Sequence, residues 1–262
     1  MRGNEGPMTT TLGLPETIQA CLFDLDGVVT RTAVVHAAAW RETFDAFLRA
    51  RDGAGFLPFD PAHDYAEYVD GRPRADGVRT FLASRGIELP EGEPGDPPDA
   101  QTVHGVGNRK NELLLEKIRT QGVEPYDGTL RYIAAARARG LRTAIVSSSA
   151  NTRDVLRSID AEQLFEVRID GVVAAERDLP GKPRPDTFLA AARDLGVEPS
   201  RAAVFEDALA GMDAGRAGKF GYVVGVDRVG QTDALYTHGA DIVVKDLADL
   251  AGGDGVDEGE RQ

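Results

Sequence analysis

Short apolar runs without interspersed polar residues recur in the second half of this chain and once near its start. A strand with one wet face alternates apolar and polar residues, so continuous runs indicate strands that are buried on both faces. Helical patterns separate the runs, as in residues 129–140 and 185–196, which both end at a glycine. The predicted strands are residues 20–23, 143–146, 202–205, 222–226 and 241–244. This rhythm predicts an α/β fold with a doubly wound parallel sheet.

More than a hundred residues separate the first two predicted strands, and this interval has helical patterns and no clear strand. Residues 36–50 place Trp40, Phe44, Phe47 and Leu48 on one helix face, and residues 77–86 and 108–122 predict two more helices. We therefore expect a small all-α cap inserted after the first strand. The expected organisation is a cap at 33–119, a catalytic core at 18–32 and 120–251, and flexible tails at 1–17 and 252–262.

The charge balance narrows the possible partners. Thirty Lys and Arg against 43 Asp and Glu give a net charge of -13, which argues against nucleic acid as the main partner. A small phosphorylated molecule needs only a few local cations and is not excluded. The single cysteine, Cys21, excludes an internal disulfide and fits a reducing compartment. Without a long apolar run or a signal-peptide pattern, we expect a cytoplasmic protein with no membrane partner.

Polar side chains cluster where the predicted strands end. In open α/β sheets, ligands bind beyond the carboxyl ends of the strands, so these side chains are expected to converge. They are Asp24 and Asp26 after the first strand, Ser147, Ser148, Ser149 and Asn151 after the second, Lys182 between two prolines, and Glu206 and Asp207 after a later strand. Hydroxyls at a helix start, where Asn151 is expected to cap, favour an anion, and paired carboxylates favour a cation.

Each of these residues also has an ordinary structural role. The DxDG pattern occurs in calcium loops and turns, Glu206 and Asp207 can cap a helix, and Lys182 can be a solvated turn lysine. Serine clusters are usual in loops, and Cys21 is expected to be an inert buried thiol. The combination of four motifs in order favours a phosphate and metal site over these separate readings.

The strings FDLDGVV, TAIVSSSAN, PGKPRPD and AVFEDALAG, in this order, resemble the motifs of the haloacid dehalogenase (HAD) superfamily. FDLDGVVTRTAVVHAAAW, YVDGRPRADGV and GNRKNELL resemble the cap segments of its β-phosphoglucomutase-like members. The resemblance implies a Rossmann-like core and an isomerase of carbohydrate metabolism. Its reaction would interconvert β-D-glucose 1-phosphate and glucose 6-phosphate through an aspartyl phosphate and β-glucose 1,6-bisphosphate. Mg²⁺ would be the cofactor and the bisphosphate the activator.

The resemblance also implies roles for individual residues. Asp24 would be the nucleophile and Asp26 the acid–base group. The other implied roles are as follows: Mg²⁺ ligands Asp24, Glu206, Asp207 and the Asp26 carbonyl; phosphate contacts Ser147, Ser148, Asn151 and Lys182; substrate contacts His36, Trp40, Arg74, Lys110 and Ser149; and a hinge contact from Thr32 to Asp26. His36 can equally be a packing residue, Trp40 is expected to belong to the cap core rather than to a sugar platform, and Arg74 and Lys110 can be ordinary surface cations.

Two positions depart from the pattern of the relatives. Arg31 stands where many have an aspartate, and Ala150 stands where close mutase relatives often have a lysine near the distal phosphate. These changes leave the nucleophile in place but affect the substrate. A magnesium-dependent sugar-phosphate phosphatase is therefore the alternative function, and a non-catalytic sugar-phosphate sensor is the third. We expect a monomer that acts on a small sugar phosphate.

Overall fold

The core of the computed structural model, which describes residues 12–251, is one parallel sheet of six strands in the order β3-β2-β1-β4-β5-β6. The strands are β1 (Ala20–Phe23), β2 (Arg142–Val146), β3 (Val167–Ile169), β4 (Ala202–Glu206), β5 (Tyr222–Val226) and β6 (Ile242–Val244). The strand order reverses between β1 and β4, the point where ligands bind in such sheets. The predicted doubly wound parallel sheet is confirmed. The prediction had five strands, because it lacked β3.

Helices cover both faces of this sheet. They are α4 (Asp127–Ala138), α5 (Thr152–Ser158), α6 (Gly171–Glu176), α7 (Asp186–Leu195), α8 (Leu209–Ala217), α9 (Thr232–Thr237) and α10 (Ala248–Ala251). One apolar cluster joins β1 to α4, α5 and α10, and a second joins the other face to α7, α8 and α9. Helix α7 ends as predicted at Gly196, whose φ of 68° is left-handed and suits glycine. The central strands β1 and β4 are therefore buried along their whole length, with no face in contact with water.

The interval between β1 and β2 contains α1 (Ala33–Asp52), α2 (Arg74–Ser84) and α3 (Val103–Gln121), with a π-helical turn at Tyr65–Val69. These elements share their own apolar cluster, in which Trp40, Phe44 and Phe81 are buried. Phe47 is partly buried against the same cluster. We call residues 33–119 the cap; that this region is a separate domain stays a prediction from the sequence.

The predicted N-terminal tail differs from the expectation where it can be compared. Residues 1–11 and the predicted tail 252–262 lie outside the described residues. Leu12, however, is buried in the cluster under α4, and the Tyr132 hydroxyl donates a hydrogen bond of 2.8 Å to its carbonyl. Leu12, with Leu14 partly buried beside it, therefore packs against the core. None of the helices found between residues 12 and 251 is both long enough and apolar enough to cross a bilayer.

Candidate active site

Three carboxylates meet where β1 and β4 end. Asp24, Glu206 and Asp207 are all buried, and each offers an oxygen within 4.8 Å of the others. The two strands are paired in register, and the Asp24 N–H donates to the Phe205 carbonyl at 2.9 Å, which aligns the two loops. Burial raises the pKa values of Asp24 and Asp207. Carboxylate oxygens are the ligands that Mg²⁺ prefers, so this donor set fits a divalent cation.

The three carboxylates, which we call the acidic triad, can meet because the backbone of the loop after β1 passes close to Asp207. Gly27 has a φ of 87°, and a Cβ there would lie 1.7 Å from Asp207 Oδ2, so the loop after β1 passes directly against this carboxylate. Glu206 Oε2 accepts hydrogen bonds of 3.0 Å from the N–H groups of Asp207 and Ala208. Glu206 thus supports the loop before α8 without capping the helix itself, and its other oxygen, Oε1, accepts a hydrogen bond from Lys182.

Lys182 neutralises part of this charge from inside the core. Its Nζ lies 2.5 Å from Asp24 Oδ1 and 2.5 Å from Glu206 Oε1, and it donates to the Val146 carbonyl at 3.2 Å. The side chain is 1% exposed. Burial alone lowers the Lys182 pKa, but Asp24 and Glu206 outweigh burial and raise it. The surface-turn alternative for Lys182 is therefore wrong.

A chain of polar contacts leads from Asp26 into the cap. The Thr32 hydroxyl donates to Asp26 Oδ1, and His36 Nε2 lies 3.5 Å from the same oxygen. His36 Nδ1 lies 3.1 Å from the Nζ of Lys110. Burial lowers the pKa of His36 to about 4 and that of Lys110 to about 7. A neutral His36 with its proton on Nε2 suits both neighbours, because Nδ1 can then accept from Lys110 while the Nε2–H is on the side of Asp26.

The serine loop after β2 is held partly by itself and partly by the cap. Ser147 Oγ accepts from the Ser149 N–H at 3.1 Å, and Ser149 Oγ accepts from the Asn151 N–H at 3.2 Å. The Ser148 hydroxyl donates to the Gly71 carbonyl of the cap at 2.6 Å. Ser148 is therefore engaged in a contact between cap and core, and all three serines line the cavity.

The expected capping role of Asn151 is wrong for its side chain. Asn151 stands at the N-cap position of α5, but no side-chain capping bond forms. Its Nδ2 instead donates to Asn111 Oδ1 on α3, at 2.9 Å. A partner in the cap has replaced the local backbone partner, because both residues line the space between cap and core.

One cavity of about 400 Å³ lies between the core and the cap. Most of the predicted site residues line it: Asp24, Asp26, His36, Trp40, Arg74, Lys110, Ser147, Ser148, Ser149, Asn151 and Asp207. The remaining three lie behind this lining. Thr32 contacts Asp26, and Lys182 contacts both Asp24 and Glu206.

The cap contributes two cations and an aromatic ring to this cavity. Lys110 is 4% exposed, and its Nζ lies 4.9 Å from the centroid of the Trp40 ring. Trp40 stacks on Phe44 with a centroid separation of 5.0 Å, so it is part of the cap core and lines the cavity as well. Arg74 begins α2, and burial lowers its pKa. Arg74 and Lys110 are therefore partly or fully desolvated rather than ordinary surface cations.

Sequence reasoning missed several residues at this site. Asp70 and Asn111 line the cavity and lie within the strings YVDGRPRADGV and GNRKNELL, so proximity to Arg74 and Lys110 was an available signal. Burial, together with the nearby charge of Glu206, raises the pKa of Asp70 to about 7. Gln231, after β5, donates from Nε2 to the Asp207 carbonyl at 2.9 Å, and no sequence pattern identifies it.

The two departures have different positions. Arg31 lies 4.4 Å above the Tyr126 ring and 3.9 Å from a Glu124 oxygen. It does not line the cavity. Ala150 does line the cavity and leaves its part of the wall without a cation.

Comparisons with known proteins agree with this geometry. The family model described as haloacid dehalogenase-like hydrolase matches residues 18–219. A β-phosphoglucomutase of Mycobacterium bovis is 56% identical over 245 residues, which are 91% of this chain and 94% of that protein. A β-phosphoglucomutase of Bacillus subtilis is 32% identical, covering 89% and 92%. The crystal structure of a β-phosphoglucomutase from Clostridium difficile matches with a TM-score of 0.71 at 25% identity, covering 89% and 93%. The chain belongs to the haloacid dehalogenase-like hydrolase family, in its β-phosphoglucomutase-like subfamily.

Proposed function

We propose that the chain interconverts β-D-glucose 1-phosphate and glucose 6-phosphate as a magnesium-dependent mutase. The observation that carries this proposal is the composition of the cavity, which joins Asp24 of the core to Arg74 and Lys110 of the cap. A bisphosphate intermediate needs cations for the phosphate that is not reacting, and a guanidinium offers a bidentate grip on it. The names of the relatives point to the same reaction.

Asp24 and Asp26 divide the chemistry. One Asp24 oxygen attacks phosphorus, so a bond from Asp24 to phosphorus forms while the bond from phosphorus to the sugar oxygen breaks. Asp26 donates a proton to the departing oxygen. In the second half-reaction a sugar hydroxyl gives its proton to Asp26 and attacks the phosphoryl group, which restores Asp24. Thr32 and neutral His36 hold the Asp26 carboxyl in place.

Mg²⁺ would be held by Asp24, Glu206, Asp207 and the Asp26 carbonyl, where it supplies positive charge to the phosphoryl oxygens. Ser147 and Lys182 would hold the transferring group from the core, with Ser149 and Asn151 completing that wall. Lys182 also opposes the effect of burial, because its charge and hydrogen bond lower the pKa of Asp24 and so favour the ionised, nucleophilic carboxylate.

Closure of the cap distinguishes a mutase from a phosphatase, because water must be kept from the aspartyl phosphate. Two hydrogen bonds between cap and core support a closed arrangement, from Ser148 to the Gly71 carbonyl and from Asn151 to Asn111. Glucose 1,6-bisphosphate would act as the activator, since it phosphorylates Asp24 and leaves as a sugar monophosphate. The expected cytoplasmic location and monomeric state stay predictions from the sequence.

Phosphorus NMR tests the reaction directly. β-D-glucose 1-phosphate is incubated with the protein, Mg²⁺ and a trace of β-glucose 1,6-bisphosphate, and Asp24→Asn serves as the control. Glucose 6-phosphate appearing with the unaltered protein alone supports the mutase. Inorganic phosphate in its place would assign the phosphatase, and tight binding without turnover would assign a sensor.

A further inference from the structure

Asp70 is a carboxylate of the cap that the proposed mechanism does not use. It lines the same cavity as Asp24, Asp26 and Asp207. It follows the π-helical turn at Tyr65–Val69, and its N–H donates to the Tyr65 carbonyl at 2.9 Å. The end of this turn fixes its backbone, so Asp70 has a defined position at the cavity wall.

The neighbouring glycine holds Asp70 against the core. A Cβ built on Gly71 would lie 2.9 Å from the Cβ of Ala208, directly after the triad's Asp207. The Gly71 carbonyl accepts the hydrogen bond of 2.6 Å from Ser148. Gly71 has a φ of 70°, a backbone conformation that would be strained in a residue with a side chain. The contacts on both sides of Gly71 therefore bring Asp70 to the loop that carries Asp207 when the cap is closed.

Acidic side chains outnumber basic partners where Asp70 approaches the acidic triad. Lys182 pairs with Asp24 and Glu206, but no ion pair found within residues 12–251 includes Asp70 or Asp207. Asp70 and Asp207 line one cavity, so their like charges repel, and a cation between them removes this cost.

We propose that Asp70 supports the bound Mg²⁺ from the cap, outside the ligand set of Asp24, Glu206 and Asp207, so that metal binding favours cap closure. The inference rests on the proposed function only for the presence of Mg²⁺ at the triad. Coupling of this kind is reciprocal: closure strengthens metal binding as much as the metal strengthens closure. Without the metal, repulsion between Asp70 and the triad favours an open cap.

The test compares Asp70→Asn with Glu67→Gln, a matched change of one acid to its amide on the exposed side of the same turn. Mg²⁺ affinity is measured by calorimetry without substrate. Trp40, the single tryptophan of the sequence, lines the cavity from the cap and reports closure by its fluorescence. We expect Asp70→Asn to weaken Mg²⁺ binding by about 5- to 20-fold and to reduce the Mg²⁺-dependent fluorescence change. Glu67→Gln is expected to leave both within about twofold of the unaltered protein.

Equal Mg²⁺ affinity in the unaltered protein and Asp70→Asn would overturn the inference. If the KM for the sugar phosphate rises instead, Asp70 contacts a sugar hydroxyl. Asp70→Glu, which keeps the charge, is expected to recover most of the affinity and guards against a folding defect; no recovery in a folded variant contradicts a charge effect. The Mg²⁺ titrations and the fluorescence measurements contain no substrate, so they are independent of the phosphorus NMR assay. If the protein forms no glucose 6-phosphate but Asp70→Asn weakens Mg²⁺ binding, the proposed mutase activity is refuted and the role of Asp70 is not.

Discussion

Replacing Lys182 with methionine tests how the acidic triad is stabilised. Methionine keeps most of the length and the apolar body of the lysine but removes the ammonium. The change leaves Asp24 and Glu206 buried, each without the nitrogen that lies 2.5 Å from its oxygen. It also leaves the Val146 carbonyl without its 3.2 Å contact to this nitrogen. Breaking a buried pair by removing one partner costs about 3 to 5 kcal/mol, because a charge then stays uncompensated.

Lys117→Met is the matched control. The Lys117 Nζ lies 2.9 Å from Glu42 Oε2, a similar ion pair, but the two side chains are 24% and 53% exposed. Solvent screens such a pair, so its loss costs about 0 to 1 kcal/mol. For a protein of this size, 1 kcal/mol corresponds to about 2 to 4 °C in Tm. We therefore expect Lys182→Met to lower Tm by about 6 to 20 °C, and Lys117→Met to lower it by at most about 4 °C.

The assay is calorimetric unfolding in EDTA and again in saturating Mg²⁺. The divalent cation compensates the same carboxylates, so we expect Mg²⁺ to raise the Tm of Lys182→Met by more than it raises that of the unaltered protein. If Lys182→Met and Lys117→Met lose equal stability in EDTA, the triad does not depend on the buried ammonium. The carboxylates would then have to be protonated in the folded protein, and the argument that Lys182 favours the ionised, nucleophilic Asp24 would fail.

Three further predictions concern turnover. Asp24→Asn is expected to abolish turnover while circular dichroism and Tm stay near those of the unaltered protein; full activity would end the covalent mechanism. Arg74→Ala is expected to reduce mutase turnover far more than the slow hydrolysis of a small aryl phosphate, and equal losses would argue against a contact with the distal phosphate. Burial lowers the pKa of Lys110 to about 7, so its ammonium is lost as pH rises through this value. The KM for β-D-glucose 1-phosphate is therefore expected to rise above about pH 7 in steady-state profiles, and a flat KM there would remove Lys110 from substrate binding.

Strand ends were predictable because topology, not detail, determines their meeting point. The buried runs that became β1, β2 and β4 are recognisable from a few residues each, and a parallel sheet brings their carboxyl ends to one edge. Strand β3 was missed because its three residues, Val-Arg-Ile, include a charge and form no apolar run. Only pairing with β2 makes it a strand. The same reasoning explains why Asp24 and Asp207 could be placed together while the boundaries of the strands shifted by one residue.

Side-chain partners across the gap between cap and core were not predictable in this way. An asparagine before a helix ordinarily caps it, and the preference of Asn151 for Asn111 depends on a residue 40 positions away. Ser148 and Gly71 are 77 positions apart. Gln231 reaches Asp207 from a loop after another strand. Local patterns contain no information on such contacts, which arise only when the cap lies on the sheet.

The negative net charge of the chain is compatible with a negatively charged sugar-phosphate substrate, because the cations proposed to bind phosphate, Lys182 and Lys110, are buried at the site. A chain of net charge -13 repels a phosphosugar, but under physiological conditions salt largely screens that repulsion at distances beyond about 8 Å. Lys182 and Lys110 are 1% and 4% exposed, and in such surroundings a charge acts far more strongly than at the surface. Burying them requires acids nearby, which Asp24 and Glu206 provide for Lys182 and Asp26 for Lys110. The acids that perform the chemistry are thus also the groups that make the phosphate-binding cations affordable in the fold, so changing either set alters the other.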